Sequence, residues 1–292
     1  MHELILQIDW LYSIWYYKKS VIDNTERIFF MTKQDFLKTI PGFKKICPIF
    51  SQATRMPMVF CHEETMDDYI YIYLEEEEAA EKVKALNEEK KPSFVVNCKE
   101  KEVLPFLAEL RFTGVNAICF VTPKANGAEE FMVQLTEFLK FPEPGSLPVD
   151  KRPVDNPSLH LSILYFMQEV RRPVAKEVKE NLAELEEETS AGIARAKFAI
   201  PVNDVADAAE GKKGIMLLKN EKGDVFMPLF TDPAELRKFL KGQNCQVFMC
   251  GFAAVADMMK KGSATGIVIN PASSNVVLSK QGVESVEKRF LE

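Results

Sequence analysis

Histidine is scarce in this chain: His2, His62 and His160 are the three present among 292 residues. A catalytic centre built on imidazole therefore has little to draw on. No glycine-rich phosphate loop, nucleophile elbow or HExxH helix occurs either. The usual sequence signatures for holding nucleotides, activated serines and catalytic zinc are thus missing. Cations do not predominate, with 37 Lys and Arg against 43 Asp and Glu and a net charge of -6. That balance sets nucleic acid aside as a partner, because phosphate-backbone affinity comes from clustered Lys and Arg. The six cysteines, Cys47, Cys61, Cys98, Cys119, Cys245 and Cys250, lack the close paired spacing of a disulfide framework and sit mostly in apolar runs. A reducing, cytoplasmic compartment is the expectation. Long hydrophobic runs are absent too. The apolar stretch at residues 4–17 follows Glu3, is broken by Gln7 and Asp9, is too short to span a bilayer and leads to no small-residue cleavage site. No membrane partner is expected.

What the chain does have is the balance of a globular protein, 47% hydrophobic and 27% charged, in a length that accommodates two cores. Its most informative feature is an internal repeat. In the second half, residues 214–218 (GIMLL), the turn residues NEKG and residues 224–230 (DVFMPLF) read as a β-hairpin. TDPAELRKFL follows, in which Asp232 caps a helix, Pro233 fits its first turn, Glu235 closes a capping box, and Leu236, Phe239 and Leu240 form the buried stripe. Residues 245–250 (CQVFMC) then read as a buried strand, 252–261 as a helix, 266–270 (GIVIN) as a strand stopped by Pro271, and 275–278 (NVVL) as the last strand. The first half repeats this order, with a hairpin at 58–61 and 69–74, a helix at 75–89, a strand at 94–98 (FVVNC), a helix at 103–110 and a strand at 114–121 (GVNAICFV). Residues 28–32 (IFFMT) and 197–202 (KFAIPV) read as the opening strand of each copy. After residue 128 the copies diverge, because the spacing of Phe131, Leu135 and Phe138 predicts a helix over 128–141.

These readings give an α+β (mixed α/β) fold of two related small domains plus linking helices. Residues 1–27 form an N-terminal amphipathic helix, with Leu4, Ile8, Leu11 and Trp15 as its stripe. Residues 28–141 are the first α/β domain, 142–190 a proline-rich linker with helices, and 191–292 the second domain. Within the linker, helices are expected over 158–172 and 174–188, broken near Pro173, the second with Val174, Val178, Leu182 and Leu185 on its apolar face.

The stretches AKFAIPV, DVFMPLFTDPAELRKF, GIVINP and NVVL, spanning residues 195–279, resemble the SseB family, the enhanced-serine-sensitivity proteins of bacteria. The first copy is similar to a diverged version of the same unit. It keeps YIYIYLEEEEAAEKV and GVNAICF but has neither the FTD nor the NP element. The resemblance implies a small mixed α/β domain in a cytosolic bacterial protein, and it brings no catalytic residues.

Candidate sites follow from the residues. Phe230, Thr231 and Asp232 stand at a helix N-terminus, where free N–H groups attract anions. Asn270, Pro271 and Asn275 form the neighbouring turn, so a ligand would be sought here, although capping and turning account for the same residues. Cys98 and Cys250 hold the same place in the two copies, each ending a strand before a helix, where a thiol pKa can be lowered. Neither begins a Cys-x5-Arg oxyanion cradle, and a small core residue is the commoner role. Cys61, His62, Glu63, Glu64, Asp67 and Asp68 crowd the first hairpin turn, but their spacing fits no standard metal site. Neither a metal nor a cofactor is expected. Tyr12, Trp15, Tyr16 and Tyr17 make the N-terminal helix more aromatic than one buried stripe requires, which suits an interface. The expectation is a non-catalytic binding or scaffolding protein for a protein partner or small metabolite, open to forming a homo-oligomer. The alternative is a thiol-dependent enzyme of sulfur-transfer type using Cys250 or Cys98.

Overall fold

The computed structural model describes residues 32–124, 127–140, 152–204 and 213–292. The expected N-terminal helix, with Tyr12, Trp15, Tyr16 and Tyr17, lies outside the described residues, as does all but the last residue of the expected first strand. That last residue, Thr32, caps a helix instead, accepting from the Asp35 N–H at the start of α1 (Lys33–Thr39). The first strand described is β1 (Lys45–Ser51). Pro48 hides it from a reading in which proline breaks strands, yet the Pro48 carbonyl still accepts from the Val96 N–H.

β1 organises the first half. On one side it pairs with β3 (Asp68–Tyr73), on the other with β4 (Ser93–Val95) and β5 (Cys98–Lys99), all antiparallel. The expected strand over 94–98 is thus two short pieces. β2 (Val59–Cys61) forms the expected hairpin with β3, and β3 pairs in parallel with β6 (Ala117–Lys124). Two helices, α2 (Glu76–Glu88) and α3 (Glu100–Glu109), make the connections. Side chains alternate across this sheet as the period of two demands. Ile70, Ile72, Ile118 and Phe120 face a core shared with Phe36, Val103 and Leu107, while Tyr73, Cys119 and Val121 face Ala79 and Leu86 of α2. Full burial of a side chain of this size contributes about 1.5–3 kcal/mol.

The expected helix over 128–141 is corrected. Gly127–Gln134 is a strand, β7, paired antiparallel with β6 from Ala117↔Gln134 to Lys124↔Gly127. Only Leu135–Phe138 is helical (α4). Phe131 and Val133 enter the core as alternate residues of a strand, and the helical spacing of Phe131, Leu135 and Phe138 arises because a strand hands over to a short helix at Leu135.

Between the halves runs α5 (Pro157–Val170). Leu159, Ile163 and Met167 of this helix join the core of the second half, while Leu164, with Leu161 and Tyr165, packs into the first. Two apolar stripes on one helix make it a shared wall. The second linker helix is also corrected. Asn181 takes a left-handed φ of 49°, and α6 runs over Leu182–Arg195, burying Thr189, Ile193 and Ala194. Val178 stays exposed.

In the second half, β8 (Lys197–Asp204) pairs with β9 (Lys213–Ile215) and β12 (Gln246–Gly251). A second sheet has the order β10 (Leu218–Lys219), β11 (Val225–Leu229), β13 (Gly266–Ile269) and β14 (Val276–Ser279). The expected strand at 214–218 is therefore divided, its start pairing with β8 and its end forming the hairpin with β11. Among the described residues a single bridge, Ala199↔Phe230, joins the two sheets. Helices α7 (Pro233–Leu240), α8 (Phe252–Lys261) and α9 (Lys280–Phe290) complete this half. The order of pairings matches that of the first half: β11 with β13 in parallel and β13 with β14 antiparallel repeat β3, β6 and β7. Phe198↔Cys250 repeats Ile46↔Cys98. Among the described residues no helix is long and apolar enough to cross a membrane.

Candidate functional site

Two parallel neighbours, β11 and β13, end side by side at Leu229↔Ile269, and the polar residues that follow them meet. Asn270 turns the chain at a left-handed φ of 49°, which asparagine tolerates better than most residues. Its side-chain amide then extends the ladder by one rung: Oδ1 accepts from the Thr231 N–H at 3.1 Å and Nδ2 donates to Thr231 Oγ1 at 2.8 Å. The Thr231 hydroxyl in turn donates to Asp232 Oδ2 at 2.7 Å, and His160 Nδ1 of α5 lies 3.0 Å from the same oxygen. Asp232 Oδ1 accepts from the Glu235 N–H at 3.0 Å, so the expected N-cap is in place. Asn156, just before α5, donates through Nδ2 to the carbonyls of Thr231 at 2.7 Å and Lys197 at 2.8 Å.

Glu235 does not close a capping box. Its carboxylate accepts from the Ser273 hydroxyl on one oxygen and from Lys238 at 2.8 Å on the other. The side chain is drawn towards the turn after β13, which offers a hydroxyl, and away from its own helix end. Thr231, Asp232, Glu235 and Asn270 are all 0% exposed and His160 is 1% exposed. Burial alone would push the Asp232 carboxyl up, but hydrogen bonds from His160, the Glu235 N–H and Thr231, together with the charge of His160, outweigh it and hold the carboxyl below the ordinary aspartate range. His160 Nε2 makes no hydrogen bond among the described residues, and neither does Ser274 Oγ.

Of the ligand candidates, Phe230 is fully buried against Phe239, with ring centroids 5.1 Å apart. Thr231, Asp232 and Asn270 form the network above. Pro271 is half-buried and Asn275 exposed, and the Asn275 carbonyl accepts from Arg171 at 2.9 Å. The structure therefore gathers these residues around one point while giving four of the six no surface. A shallow cleft of about 260 Å³ lies elsewhere, between Arg111, Gly114, Asn116, Gln134 and Thr136 and the first residue of α5, Pro157. It falls below the usual size of a small-molecule pocket, ~300–1,000 Å³. Sequence reasoning missed His160. The available signal was one polar ring inside the apolar run LHLSIL.

The place of Cys98 and Cys250 before a helix does not lower their thiol pKa. Burial pushes Cys98 up to about 11, with the nearby Glu102 carboxylate adding to the effect. Burial likewise raises Cys250. The start of α3 carries Glu100 and Glu102, whose negative charge opposes a thiolate where the helix dipole would favour one. Alkylation of the native protein at pH 8 should consequently label exposed Cys61 at least about tenfold faster than Cys98. Competition between reagents followed by peptide mapping measures the ratio, and equal rates would contradict the burial of Cys98.

The acidic hairpin turn spends its groups one at a time. His62 Nδ1 accepts from the Thr65 N–H at 3.3 Å. Asp67 accepts from Thr65 at 2.8 Å and Asn116 at 2.5 Å, and Asp68 accepts from Tyr165 at 2.6 Å. Among the described residues no group of three or more His, Cys, Asp or Glu could hold a metal ion.

Residues 176–285 match the family described as SseB protein N-terminal domain. No curated protein matches the chain. Among solved structures it is similar to "Anabaena Tic22 (protein transport)", at 12% identity over 89% of this chain and 98% of that one, with a TM-score of 0.21. It is also similar to "Tic22 from Plasmodium falciparum", at 11% identity over 87% and 96%, with a TM-score of 0.20. The matched stretch takes in every strand from β8 to β14 and the whole contact of Thr231, Asp232 and Asn270, so the likeness to the SseB N-terminal domain lies in the second half of the chain.

Proposed function

We propose that this chain is a non-catalytic binding or scaffolding protein, acting on a protein partner or a small metabolite. In this reading the SseB domain is preceded by a diverged copy of the same unit over residues 28–141. One observation carries it: the polar residues of the FTD and INP stretches hydrogen-bond to one another and to α5 with no exposed surface. Chemistry needs a reacting atom within reach of substrate, and these atoms are instead spent on holding three segments together. The recurrence of the strand pairings supports the diverged copy. A reducing, cytoplasmic setting belongs to the same proposal, since all six cysteines are free.

A small-molecule partner should raise Tm in proportion to the logarithm of its concentration when amino acids and nucleotides are screened. A protein partner should co-purify stoichiometrically from native lysate. Turnover of any compound in that screen would overturn the reading, as would the absence of both ligand and partner.

A further inference from the structure

Strand edges present unpaired N–H and C=O groups, and proteins usually blunt them with charge, proline or brevity. Several described edges follow this rule: β7 carries Glu129 and Glu130, β4 has three residues, and β10 has two, one of them Lys219. β12 does not. Its six residues, QVFMCG, include no charge and no proline, and among the described strands only β8 pairs with it. Phe248 and Met249 are 47% and 45% exposed. Successive residues of a strand point to opposite faces, so this strand exposes an apolar side chain on each.

The register identifies the outward groups. Ala199 of β8 exchanges both main-chain hydrogen bonds with Phe230, at 3.0 Å each, on the side away from β12. Pro201 likewise gives its carbonyl to Met216, at 3.0 Å. Because bonded and non-bonded pairs alternate along an antiparallel ladder, the residues opposite these two, Met249 and Val247, direct their N–H and C=O groups away from β8.

We propose that this edge pairs antiparallel with β12 of a second copy of the chain, about a two-fold axis through Phe248. Only registers that place residues of like parity opposite each other keep the two faces aligned. With the axis at Phe248, that residue meets its own image in a non-hydrogen-bonded pair, where side chains approach most closely. Val247 and Met249 exchange main-chain bonds across the axis, and Gln246 lies opposite Cys250. A second copy suits this edge because its outward main-chain groups, at Val247 and Met249, stand symmetrically about Phe248, so the strand is complementary to itself. Although the whole chain carries -6, no like charges meet along these six residues, and self-complementary two-fold contacts are the commonest oligomer geometry. This surface is separate from the buried network, so the dimer stands or falls independently of any ligand.

Sedimentation velocity over a concentration series tests the pairing. The wild type should show a monomer–dimer equilibrium. Met249→Pro removes an outward N–H without costing a bond to β8, and Phe248→Lys puts like charges at the axis. Each should weaken the dimer about tenfold or more while leaving unchanged the Tm measured at concentrations where the wild type is monomeric, and Phe248→Lys decides the matter if the proline variant does not fold. In a Cys61→Ser background, Gln246→Cys should give an oxidised dimer linked to Cys250 of the second copy, and Cys61→Ser alone should not. A wild type that stays monomeric, or a dimer indifferent to both variants, overturns the proposal. So does a monomer that instead takes up an extended peptide along β12, which would make the edge a peptide-recognition strand.

Discussion

Replacing Asp232 with alanine should cost about 3–5 kcal/mol of stability, far more than the ~1 kcal/mol of a lost helix cap. The carboxylate caps α7 through the Glu235 N–H, but its other oxygen serves the Thr231 hydroxyl and His160 Nδ1. Removing it leaves both of these buried donors without their acceptor, while Thr231 keeps the bond from Asn270, and each unsatisfied donor costs about 1–3 kcal/mol. Urea unfolding of the two proteins at pH 7 measures the difference, and a loss near 1 kcal/mol would mean that Asp232 is only a cap. Acid should narrow the gap. The folded-state pKa of Asp232 lies below its unfolded-state value, so its contribution is complete above the ordinary aspartate range and disappears as pH falls through the folded value. A gap that widens on acidification would give the shift the opposite sign.

That network also shows what the sequence can and cannot reveal. The start of α7 is legible because its determinants are local: Asp232, Pro233 and Glu235 stand within four positions, and the cap bond spans three. The turn after β13 is legible for the same reason, with Asn270 and Pro271 adjacent to the apolar run they end. His160 belongs to the same cluster, yet 72 positions separate it from Asp232, and no local pattern joins a ring on one helix to the cap of another. Glu235 shows the reverse error. Its spacing fits a capping box, but Ser273, 38 positions on, takes the carboxylate instead. Tertiary partners override local preference wherever a buried polar group has a choice of acceptor or donor.

The same distinction separates the correctly and wrongly placed elements. The β2–β3 hairpin, β6 and β13 announce themselves by apolar runs bounded by turn residues. β7 does not, because Phe131, Leu135 and Phe138 straddle the boundary between a strand and a helix and so counterfeit one helical face. β1 is hidden by Pro48. α9 is missed because only Val283 and Val286 of its side chains are buried, too few to mark a stripe. The place of β12 in its sheet is invisible in sequence as well: CQVFMC looks buried, and only the sheet order shows that β8 alone pairs with it among the described strands.

Gly114→Ala should be the most damaging single-methyl change, at about 3 kcal/mol or more. Gly114 ends the 3-10 turn Leu110–Thr113 at a φ of 85°, a conformation that strains any side chain. A Cβ there would also overlap the Pro157 carbonyl oxygen and come within 2.8 Å of Leu161 Cβ, both on α5, the wall shared by the two cores. Gly242 supplies the control, because its φ of 86° imposes the same strain while nothing lies within 4 Å of its would-be Cβ. Gly242→Ala should therefore lose only about 1 kcal/mol. The surplus at Gly114 reports how tightly α5 is pressed against the first half, and chemical denaturation of both variants yields it directly. If the helix is the joint, Gly114→Ala should also split a single unfolding transition into two, the halves melting separately once their common wall is displaced. Equal losses at the two glycines, with one transition retained in both, would show that α5 yields readily and that the halves are coupled elsewhere.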